Sequence, residues 1–147
     1  MFKPFLLLAA ATVPAAGPLE VATAVMAERV AADGATELVR PARVVPGDRV
    51  VVVLDYRNTG REPLRDVVLA NPVPQGMVYR APAAGTAEPE VSVDGTSFGP
   101  LGTLTVRGID GRARAATPDD VRAVRWRVTA PIAAGAAGRL AFRAVLK

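Results

Sequence analysis

The chain has 147 residues, no cysteine and no histidine. Disulfides, thiolate metal sites, cysteine nucleophiles and imidazole general bases are therefore excluded, and a chain of this length builds an adequate core without them. Half the residues are hydrophobic, which argues for a folded domain, and the formal charge is +4. The charge is uneven: nine basic residues fall between Arg107 and Lys147, against Asp110, Asp119 and Asp120. Such a surplus marks either a solvated face or a surface for a polyanion.

The first residues read as an address. Lys3 precedes the apolar run 5–13, and the small residues Ala15-Ala16-Gly17 follow. These are the charged, apolar and cleavage regions of a secretory signal peptide, here 1–17. Ala22-Thr23-Ala24 is a second small-x-small site. The run is well short of the roughly 20 residues that span a membrane, and no other segment is long enough, so no transmembrane segment is expected in the mature chain. Export is expected to place that chain outside the cytoplasm.

Residues 18–147 read as one domain of strands. Leu19, Val21 and Val25 fit one face of an early strand. Val50, Val52, Leu54 and Tyr56 alternate with Arg49, Val51, Val53, Asp55 and Arg57. A period of two sends alternate side chains to opposite faces, so the first set lines a core. Val51 and Val53 are too apolar for a solvated face, which implies partial cover. The pattern continues at Val67 and Leu69, at Val91 and Val93, and at Leu104 and Val106. It returns at Val124, Trp126 and Val128, then at Leu140, Phe142 and Leu146. Turn signals separate these runs: Pro46-Gly47-Asp48, Asn58-Thr59-Gly60, Pro72-Val73-Pro74-Gln75-Gly76, Asp94-Gly95 and Asp110-Gly111. Thr117-Pro118-Asp119-Asp120 reads as the start of one helical turn. Short strands between turn signals predict an all-β, antiparallel sandwich. Trp126 is expected in its core with Val50, Val52, Leu54, Leu140 and Phe142.

The stretch from Pro46-Gly47-Asp48 through Tyr56-Arg57-Asn58-Thr59-Gly60 to Pro74-Gln75-Gly76-Met77-Val78-Tyr79 resembles a bacterial surface-repeat family, domain of unknown function eleven. The resemblance extends over about residues 44 to 146. It implies an immunoglobulin-like β-sandwich in an exported envelope protein, with no recognised catalytic residues to carry over. Asn71 stands where the family often has Asp, and one copy makes nearly the whole chain where tandem copies are common.

Catalysis finds little footing. Ser92 and Ser97 are the only serines, with no histidine to activate them. Asp119 and Asp120 fit the helix start. Glu88 and Glu90 lie in a Pro-rich loop without an aromatic sugar platform. The Asp-Gly pairs suit turns better than calcium, which needs six to eight oxygens. No metal or other cofactor is expected, nor nucleic acid, because no aromatics interleave with the arginines. The leading expectation is a non-enzymatic structural or interaction module of the cell envelope, engaging an unidentified envelope protein by surface contact or by pairing at an exposed strand edge. The alternative is a module that binds an anionic glycan, surface polymer or lipid headgroup. If residues 124–129 and 140–146 form a hairpin, Arg125, Arg127, Arg139 and Arg143 share one outer face. Those four arginines are the candidate anion-binding residues.

Overall fold

The structure is a computed structural model that describes residues 17–147; all of the expected leader except Gly17 lies outside them. Ten strands follow in order: β1 (Leu19–Val30), β2 (Thr36–Val39), β3 (Arg49–Asn58), β4 (Val67–Pro72) and β5 (Met77–Pro82), then β6 (Glu90–Ser92), β7 (Thr105–Arg107), β8 (Ala113–Ala115), β9 (Ala123–Val128) and β10 (Ala137–Leu146). One sheet has the order β2-β1-β3-β10-β5, a second the order β4-β9-β6, and β7 and β8 form a hairpin. Every pairing is antiparallel. The protein is thus mostly β, as the period of two required.

Both large sheets contribute to one core. Val50, Val52 and Leu54 of β3 meet Leu140, Phe142 and Ala144 of β10, Leu69 of β4, Val91 of β6 and Trp126 of β9. Trp126 is 3 % exposed and donates its indole N–H to the Ala87 carbonyl at 2.9 Å, so burial leaves its one polar atom paired. Phe142 lies between Tyr79 and Trp126, with ring centroids 5.8 and 6.3 Å away. Leu19, Val21 and Val25 pack against the same cluster, so the early strand is real and faces as expected. Gly138 sits opposite Tyr56 on β3, and a side chain there would run into the tyrosine ring.

The opposite face of the larger sheet carries its own apolar cluster. Val51 and Val53 are each 1 % exposed and pack with Ala83, Ala141, Met26 and Leu38. One arginine adds to the cover. Arg143 on β10 reaches Glu28 on β1, with β3 between them, so its aliphatic stem must cross the Val51 row.

The expected hairpin between residues 124–129 and 140–146 does not form. β9 lies between β4 and β6, whereas β10 lies between β3 and β5. The connection passes from one sheet to the other because β3 captures it. The Asn58 backbone N–H donates to Ala136, and its carbonyl accepts from Gly135. The Asn58 side chain, fully buried, donates through Nδ2 to the carbonyls of Ile132 and Glu62 at 2.9 and 2.8 Å. Its Oδ1 accepts the Gly60 N–H at 2.9 Å. Ile132 in turn exchanges backbone hydrogen bonds with Leu64. The loop is therefore tied down across sheets.

Three strands carried no clear signal: β2, β5 and β8. β5 holds a bulge at Arg80 and ends in Pro82, which breaks its alternation. β8 is Ala-Arg-Ala, with no apolar side to show.

Candidate functional site

The four candidate arginines fall on two surfaces. Arg125 and Arg127 face outward from β9; Arg139 and Arg143 face outward from β10 in the other sheet. No single four-arginine face exists, because the strands that carry them do not pair. Each guanidinium also meets a carboxylate from another strand of its own sheet. Arg125 grips Glu90 through Nε and Nη2 at 2.9 and 2.5 Å and lies over the Phe98 ring at 4.5 Å. Arg127 approaches the same Glu90 at 3.6 Å. These contacts, led by the Arg125 hydrogen bond, hold the Glu90 carboxyl below its ordinary range. Arg139 makes a two-pronged pair with Asp55 at 2.6 and 3.0 Å, which raises its own pKa further. Arg143 pairs with Glu28 at 3.0 Å. The acids missing from the two strands themselves come from β1, β3 and β6.

The candidate catalytic residues serve turns. Ser92 is buried; its hydroxyl donates to Asp94 at 2.9 Å and accepts the Gly95 N–H. Asp94 also accepts the N–H groups of Ser97 and Thr96, which with the Ser92 hydroxyl hold its pKa far below the usual carboxylate value. Thr117 and Asp120 form a capping box on the 3-10 turn Pro118–Asp120, where the sequence predicted one helical turn. Among the described residues, no group of Asp and Glu side chains gathers to hold a metal ion.

Two features could not be placed from the sequence. The first is a recess of about 520 Å³ beside this turn. Its walls are Val73 to Met77, Val106 and Arg107 of β7, Arg114 of β8, Asp119 to Arg122, and Lys147. Arg114 forks onto Asp120 at 2.7 and 2.8 Å, and Asp119 turns to Arg80 at 2.5 Å.

The second is an open sheet edge. Asn58 bonds toward β10 and Thr59 toward Pro18, so odd-numbered β3 residues turn their backbone groups to β1. The even residues of β1 answer them, and its odd residues point to the other edge. β2 occupies that edge from Ala27 onward, and Ala31 donates to Ala35 there. Among the described residues, the N–H and C=O groups of Leu19, Val21, Thr23 and Val25 along that edge meet no backbone partner. The other edges are blunted. Pro72 ends β4, Gly99 bonds β6, the Pro118–Asp120 turn covers β5, and β2 is only four residues long.

No protein-family model, curated protein or solved structure matches the chain.

Proposed function

We propose that the chain is a non-enzymatic interaction module of the bacterial cell envelope, exported after removal of residues 1–17 and acting in the periplasm or outside the cell. Two antiparallel sheets around one core support reading it as an immunoglobulin-like sandwich, as its resemblance to the surface-repeat family implies. The leader-like sequence supports export.

The observation that carries the reading is the open edge of β1. It has no proline, lysine or bulge between Leu19 and Val25, which are the usual guards of an exposed edge. The partner that fits is an extended strand of another envelope protein, added beside β1 through main-chain hydrogen bonds. The arginine faces favour the alternative, an anionic glycan or lipid headgroup, less well, because their guanidinium groups already hold carboxylates.

Val21→Pro tests this. The Val21 N–H points away from β3, so proline removes a free donor and spares the ladder. Wild-type protein incubated with envelope extract is expected to capture a partner that slows amide exchange at Val21, Thr23 and Val25. The proline variant, equally folded by circular dichroism, should lose both capture and protection. Capture that persists in that variant removes β1 from the interface.

A further inference from the structure

We propose that the recess between β7, the Pro118–Asp120 turn and Lys147 binds a phosphate monoester in its dianionic form. The charges on its wall lead there. Arg107, Arg114, Arg122 and Lys147 line it against only Asp119 and Asp120. Asp120 is spent on Arg114 and Thr117, and Asp119 on Arg80 outside the wall. The Arg114 hydrogen bond and the Thr117 backbone keep Asp120 ionised and occupied. Arg107, Arg122 and Lys147 are left in the lining of one concavity without a carboxylate partner among the described residues.

Three like charges in a hollow with Val73, Met77 and Val121 in its wall focus a positive potential more strongly than the same charges on a flat sheet. Their backbones are already fixed. Arg122 donates its N–H to Ser92 at 2.7 Å and accepts from Val73 at 2.8 Å. Lys147 donates its N–H to Gly76 at 2.8 Å. Arg107 anchors one guanidinium nitrogen on the Gly111 carbonyl at 3.1 Å and keeps its remaining donors free. The backbone there needs no ordering when a ligand enters, so the entropy lost is that of the side chains alone. Two guanidinium forks and one ammonium match tetrahedral phosphate oxygens.

The test uses the purified chain, with arginine side-chain N–H resonances as the readout. Glycerol 3-phosphate, titrated at constant ionic strength, should shift the Arg107 and Arg122 signals saturably. The double variant Arg122→Gln, Lys147→Gln should weaken binding at least tenfold, with the near-ultraviolet dichroism of Trp126 unchanged. The double variant Arg125→Gln, Arg143→Gln should bind as the wild type does, which separates the recess from general positive charge. Vesicles containing phosphatidic acid form a second arm. Sedimentation with them that depends on Arg122 and Lys147 identifies a lipid headgroup, and soluble binding alone identifies a free phosphate ester. Shifts that never saturate, or equal affinity in the folded Arg122, Lys147 variant, overturn the site.

Discussion

Asn58→Ala should be among the most damaging single substitutions in the protein. The side chain is fully buried and makes three hydrogen bonds, to Glu62, Ile132 and Gly60, at 2.8, 2.9 and 2.9 Å. Its loss removes all three bonds, worth about 1 kcal/mol each, while the Ile132 carbonyl keeps the Leu64 N–H. The expected cost is about 3 kcal/mol, a large share of a total stability of roughly 5–15 kcal/mol. Urea unfolding followed by tryptophan emission measures it; with a slope near 2 kcal/mol/M the midpoint should fall by about 1.5 M. Asn58→Asp sharpens the test without changing size. It replaces the amide donor with an acceptor facing two carbonyls, so burial and repulsion should raise the new carboxyl pKa above its unfolded value near 3.9. A raised acid pKa means that stability is lost as pH climbs past that value, so this variant should be weaker at pH 7 than at pH 4. A loss below about 0.5 kcal/mol for Asn58→Ala, the range of ordinary surface changes, would refute the reasoning.

Two further outcomes follow from the core. Trp126→Ala should cost about 3–5 kcal/mol by urea unfolding, as large cavities do; in the wild type, emission typical of a water-exposed indole would contradict its burial. Burial first, and then Glu88, pushes the Tyr79 pKa up to about 12. The unfolded chain releases that proton near pH 10, so stability should fall between about pH 10 and pH 12. Tyr79→Phe should flatten that slope in alkaline unfolding curves.

The strands and the core were legible wherever alternation was strong: Val50, Val52 and Leu54, Trp126 and its neighbours, Leu140 and Phe142. Such runs are local, and a period of two needs no knowledge of the partner strand. The pairing of β9 with β10 was misread because chain neighbours usually pair, and nothing local announces that Asn58 captures the loop between them. Asn58 itself read only as part of an Asn-Thr-Gly turn, which it does form through Gly60. The arginine partners Glu28, Asp55 and Glu90 come from strands distant in sequence, so neutralisation was invisible until the sheets were assembled. The recess left one trace, the basic surplus from Arg107 to Lys147, but which of those cations stay unpaired depends on tertiary contacts.

The unbroken apolar run of β3 has a cost that its burial conceals. Val50 to Leu54 are all dry, on both faces, so a slip of one position would trade one buried aliphatic for another and raise little hydrophobic alarm. Correct alignment must therefore be spelled out at the polar end of the strand. Asp55 finds Arg139, Tyr56 finds the gap above Gly138, and Asn58 finds its loop only when every residue is in place. The valines supply the adhesion and tolerate error; three residues at the strand end proofread it.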